Sequence, residues 1–142
     1  MTQTFENHAR FVPAFHFFAL PIFVINVIWS AVRLVRAPSA ENGFALVVAV
    51  ALAVLCLYSR LFALTVQDRV IRVEMMLRFE RVLPAELRAR AGEFSVGQLV
   101  SLRFAPDEEL PALAKTVLEG KVHDRKVIKR MIKNWQGDYL RA

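Results

Sequence analysis

The fold turns on one stretch, FVPAFHFFALPIFVINVIWSAV, running from Phe11 to Val32. Thirteen of these 22 positions are Phe, Val, Ile or Leu, and the only clearly polar side chains are His16, Asn26 and Ser30. At about −0.3 to −0.6 kcal/mol each on an insertion scale, the thirteen supply roughly −4 to −8 kcal/mol, which outweighs one buried amide. As a helix the stretch covers about 33 Å, enough for a hydrocarbon core of about 30 Å. Pro13 suits a first turn, where its missing N–H is not needed, whereas Pro21 falls inside the span and predicts a kink. The run exceeds the roughly 7 to 15 apolar residues of a signal peptide, Glu6 precedes it alongside Arg10, and Arg33 and Arg36 follow it directly. It is therefore read as a retained span.

Working outward, Pro38 to Gly43 (Pro-Ser-Ala-Glu-Asn-Gly) reads as a polar turn. Phe44 to Leu64 follows, with twelve of 21 positions Phe, Val, Ile or Leu and no ionised side chain before Arg60. Arg60 lies within about a turn of the end, where its stem runs along lipid and its head reaches phosphate level. The connecting loop carries Arg33 and Arg36, while fifteen Lys and Arg follow Leu64. Positive charge collects on the cytoplasmic side, so both termini are expected there and the hairpin tip outside. Eleven acids in the same C-terminal region weaken that asymmetry.

The composition agrees with a segregated chain. Of 142 residues, 56% are hydrophobic and 23% charged, with a mean hydropathy of +0.37 and a formal net charge of +6. This excludes a disordered tail, a disulfide-stapled secreted domain and a large two-domain enzyme. The expected organisation is an all-α membrane protein: residues 1–64 form an N-terminal segment and a two-helix transmembrane hairpin with spans near 11–32 and 44–64. Residues 65–142 form a helical cytoplasmic stalk and small domain.

Beyond Leu64, Val66, Val70, Val73 and Leu77 form a helical stripe, and Asp68/Arg72 and Glu74/Arg78 are i, i+4 pairs. The second span thus continues as a stalk until Pro84. Pro84 to Gly92 reads as a short helix, and Ser95 as the cap of a segment through Phe104 whose β-branched and aromatic content leaves helix and strand both open. Asp107, Glu108 and Glu109 are read as the acidic first turn of a helix running to Gly120, with metal binding the less favoured account. Asp124 caps a last helix carrying Ile128, Met131, Ile132, Trp135 and Tyr139 on one face. Its other face is Arg125, Lys126, Lys129, Arg130 and Lys133. With roughly 75 residues, such a domain buries a thin core and is expected to lean on the membrane, a partner or a second copy.

Candidate sites are few. Cys56 lies inside the second span, which leaves no intrachain disulfide and makes a thiolate improbable. His8 and His16 sit two helical turns and a residue apart, a spacing read as interfacial anchors before haem or metal ligation. Asn26 is expected to seek a partner across a helix interface, first of all the second span. The aromatic cluster from Phe5 to Phe23, with Trp29 opposite, reads as an interfacial belt. The basic face of the last helix is a solvated surface, or with Arg60 a contact for anionic headgroups; nucleic acid ranks below both.

Two end motifs add a resemblance. Phe5-Glu-Asn-His8-Ala-Arg10-Phe-Val-Pro13-Ala-Phe-His16 before the hairpin is one. The other is Arg103-Phe-Ala-Pro-Asp107-Glu-Glu-Leu-Pro111 with Ile128-Lys-Arg-Met-Ile132-Lys-Asn-Trp135-Gln-Gly-Asp138-Tyr-Leu-Arg141. Together they resemble a family of small bacterial inner-membrane proteins catalogued as a domain of unknown function. The resemblance implies two spans and a helical cytoplasmic region, and it supplies no activity to carry over. It points to His8, Arg10, Pro13 and His16 at one end and Trp135, Asp138 and Arg141 at the other as recognition residues. Asp138 is then expected to pair with Arg10 or Arg141, Trp135 to pack on the N-terminal aromatics, and Gly137 to turn the chain.

The resulting expectation is a non-enzymatic inner-membrane accessory or scaffold subunit with no cofactor, binding a partner protein, a second copy or the lipid surface. The alternatives are a small oligomeric channel-like protein using Asn26, and a haem- or quinone-associated subunit using His8, Arg10 and His16.

Overall fold

The computed structural model describes residues 4–6 and 12–139. Among them the chain is all-helical and forms two compact units: Arg10–Leu64, and Thr65–Ala142 together with the described residues of the segment Met1–Ala9.

In the first unit a π-helical turn, Ala14–Ala19, runs into helix α1, Leu20–Arg36. Where the sequence predicts a kink at Pro21, the structure has this π-helical turn just ahead of the proline. Pro21 has no N–H and its ring crowds the carbonyl four residues back, so the chain widens by one residue per turn ahead of it. The Leu20 N–H accordingly bonds to Phe15 O, five positions back. After three linking residues, α2 begins at Ala40. The polar turn is shorter than Pro38 to Gly43, because Glu41, Asn42 and Gly43 are already helical. The Ser39 hydroxyl accepts the Asn42 N–H at 3.1 Å, and the Asn42 amide reaches back to donate to Ala37 O at 2.7 Å.

Ala14–Arg36 and α2 (Ala40–Val82, 43 residues) are both long and apolar enough to cross a membrane, and their most apolar windows are only 6% buried within the chain. Side chains such as Phe17, Ile25, Trp29, Val47, Leu55 and Phe62 are exposed.

In the second unit, the later part of α2 is followed by α3 (Ala85–Ala89), a 3₁₀ turn (Ala91–Glu93), α4 (Val96–Leu102), α5 (Leu110–Glu119) and α6 (Arg125–Met131). Pro84 sits at the N-cap of α3 and ends the long helix. Residues 95–104 hold a helix and no strand: the Ser95 side chain accepts the Gln98 N–H while the Gln98 side chain accepts the Ser95 N–H, a reciprocal cap that outweighs the β-branched content. The core joins Ile71, Met75 and Phe79 of α2 to Leu99, Leu102, Leu110, Val117 and Ile128.

The second span continues as a helix past Leu64 to Val82. Val66, Val70, Val73 and Leu77 are exposed, and the domain packs on the opposite side of α2 through Ile71, Met75 and Phe79.

Candidate functional site

A constellation of polar and aromatic groups lies around residues 103–109, the link between α4 and α5. Phe104 is fully buried there. The Trp135 indole stacks on it, centroids 4.4 Å apart and planes within 16°, and Phe5 meets the same indole edge-on at 6.4 Å. Cations flank Phe104: the Arg103 guanidinium is 4.4 Å and the Lys129 ammonium 5.4 Å from the ring centroid.

Residues 132–139 are not helical. The last helix stops at Met131, short of the Trp135 and Tyr139 positions assigned to its apolar face. Competing hydrogen bonds explain this. The Glu109 carboxylate accepts the Lys133 and Asn134 N–H groups at 2.8 and 3.0 Å, and the Gln136 N–H donates to Phe104 O at 2.7 Å. These donors would otherwise continue the helical ladder. The acidic triplet thus works in tertiary structure rather than as a charged first turn: Glu109 holds the C-terminal strap and Asp107 receives Arg78.

Arg78 shows how far apart in sequence the parts lie. Its Nε donates to Asp107 at 2.6 Å, its Nη2 to Ala105 O at 2.6 Å and its Nη1 to Arg103 O at 3.3 Å. The i, i+4 partner expected for it was Glu74. A guanidinium satisfying a carboxylate and two carbonyls gains more than one in a surface pair. Arg103 in turn pairs with Asp138 at 2.9 Å. Arg78, Arg103, Glu74, Met75 and residues 136–139 line a cleft of about 350 Å³. Chemically this is an edge of paired charges and ring faces.

Trp135 meets an N-terminal aromatic, Phe5, as expected. Asp138 pairs with Arg103; Arg10 and Arg141, its expected partners, lie with His8 outside the described residues. The His16 Nδ1 lies 3.0 Å from Val12 O and 3.1 Å from its N, and its ring sits edge-on to Phe15 at 5.0 Å. Asn26 is exposed in α1. The buried polar side chains of the hairpin are Ser30 and Asn42.

The basic residues do not share one free face. Arg60 is half-buried in α2; Arg125 and Lys126 are exposed in the first turn of α6. Lys129 is drawn over Phe104, and the Arg130 guanidinium lies 5.6 Å from the Phe5 centroid. Lys133 is beyond the helix. Elsewhere, the Arg90 fork donates to both Glu93 oxygens at 2.8 and 2.9 Å, and these bonds hold the Glu93 carboxyl below its ordinary range.

The sequence reading missed Arg78, Arg103, Phe104 and Glu109 as site residues. The motif from Arg103 to Pro111 contains three of them and was the available signal.

The whole chain, residues 1–142, matches a family model described only as a family of unknown function. No curated protein and no solved structure matches it.

Proposed function

Because this chain belongs to DUF6526, a family of unknown function, its role has to be argued from its own chemistry, and we propose that it is a non-enzymatic, two-span protein of the bacterial inner membrane. In this reading it is an accessory or scaffold subunit whose cytoplasmic helices bind a partner protein or the anionic lipid surface.

One observation carries the membrane part. The apolar windows of two helices are only 6% buried, and most of their Phe, Leu, Ile and Val side chains are exposed. In water such a surface would far exceed the few hundred Å² of apolar patch that a soluble monomer tolerates, whereas in hydrocarbon it is the required surface. The orientation rests on the cationic excess after Leu64, which favours cytoplasmic termini. The scaffold part rests on the Arg103–Asp138 and Phe104–Trp135 cluster, a fixed arrangement suited to recognition.

Alkaline carbonate extraction of native membranes tests insertion, and reporters fused after Ala142 or inserted at Ser39 test orientation. The proposal expects retention in the pellet, a cytoplasmic C-terminal reporter and a periplasmic one at Ser39. Release by carbonate overturns insertion, and the opposite reporter pattern overturns the orientation.

A further inference from the structure

The exposed stripe on α2 has the spacing of a coiled-coil seam. Val66, Val70, Val73 and Leu77 are separated by four, three and four residues, the alternation of successive d and a positions of a heptad. They are 59%, 49%, 60% and 64% exposed although each is apolar. Charged residues at 68, 69, 72 and 74 interleave with them, so lipid is a poor neighbour for this face. The domain core takes the opposite side of the helix, through Ile71, Met75 and Phe79, and leaves the seam open.

The flanking charges select the occupant. With Val70 and Leu77 at a, Arg69 falls at g and Glu74 at the following e position. In a parallel pair, g of one helix faces the next e of the other, so Arg69 of each copy meets Glu74 of its partner, twice by symmetry. An antiparallel pair flanks g with g and e with e, which keeps these two charges apart. Both side chains are exposed, and among the described residues neither has an ion-pair partner within the chain. We propose that a second copy of this chain covers the stripe, forming a parallel two-helix seam over residues 66–77 with Arg69–Glu74 pairs on both flanks.

The proposal deepens the scaffold reading and rests on its membrane part. Two heptads bury too little to associate strongly from dilute solution, but two chains inserted in one bilayer are already parallel and meet at raised effective concentration.

Oxidative crosslinking in native membranes tests it, with Cys56→Ala as background and single cysteines placed along the exposed surface. Val70→Cys and Val73→Cys are expected to give disulfide-linked dimers, and Arg72→Cys, off the seam, to give few. Arg69→Glu or Glu74→Arg alone should weaken association by roughly tenfold, and the double exchange should restore it. Uniformly monomeric protein overturns the seam, whether lipid or an unrelated protein then covers the stripe, as does equal crosslinking at all three positions. Failure of the double exchange to rescue overturns the parallel pairing. Carbonate extraction of the same variants reads membrane insertion separately, so membrane-held monomers would sink this proposal and leave insertion standing.

Discussion

Arg103 and Asp138 form an ion pair at 2.9 Å that ties the C-terminal end of α4 to the chain 35 positions later, with side-chain exposures of 9% and 27%. The guanidinium is the more buried partner, so the pair is asymmetric: removing the acid takes the carboxylate from a nearly buried cation, whereas removing both charges leaves no such imbalance. Asp138→Ala is therefore expected to cost about 1–3 kcal/mol, and Arg103→Met/Asp138→Leu distinctly less than the sum of the single changes. Chemical unfolding of the detergent-solubilised protein measures this. Additive losses would show that the two side chains are not coupled.

The Phe104–Trp135 stack predicts a larger effect from a smaller-looking change. Phe104 has no exposed surface and touches both the indole and two cations. Phe104→Ala should cost about 3–5 kcal/mol, whereas Phe104→Leu should keep most of the core but lose the stacking contribution of about 0.5–1.5 kcal/mol. Trp135 fluorescence should shift to the red in both. An unshifted spectrum in Phe104→Ala would separate the indole from this ring.

What was legible in the sequence was local. Two long apolar helices, the stop at Pro84, the cap at Asp124 and the meeting of Trp135 with an N-terminal ring all follow from spacing, single-residue chemistry and the end motifs. What was illegible was tertiary competition. The pattern after Asp124 is helical through Tyr139, yet Glu109 and Phe104 O capture the N–H groups of residues 133, 134 and 136. The pairing of Glu74 with Arg78 is sound helix chemistry, yet Asp107 and two carbonyls offer Arg78 more. The Val66 stripe was correctly seen as apolar, but periodicity alone does not say which apolar face of α2 meets the domain.

The Arg90–Glu93 fork gives an acid-limb prediction. Hydrogen bonds from Arg90 lower the Glu93 pKa in the folded state and outweigh desolvation, which opposes them. A depressed carboxyl contributes stability above its unfolded pKa and loses it as pH falls through the folded value. Arg90→Gln should return the Glu93 midpoint, followed by carboxyl NMR, to the ordinary glutamate range. Because the site is exposed, the stability change should be small and should shrink in salt. An unchanged midpoint would mean that the fork does not persist in solution.

The end of α5 carries a conformational cost that substitution can remove. Gly120 looks like the terminating glycine, but it has φ of −77° and is still helical in conformation; the residue at positive φ, 48°, is Lys121. The Lys121 N–H bonds to Leu118 O and the Val122 N–H to Val117 O, which closes the helix with Lys121 in the left-handed position that glycine occupies most readily. A Cβ at that position is penalised by about 1 kcal/mol in the left-handed region. Lys121→Gly should thus stabilise the domain by about 0.5–1 kcal/mol even though it removes a side chain and a charge. Gly120→Ala should do the reverse, because a Cβ there would lie 2.9 Å from Thr116 O. Paired thermal melts of the two variants decide the point: if Gly120→Ala is neutral and Lys121→Gly is destabilising, the helix ends one residue earlier than this geometry requires.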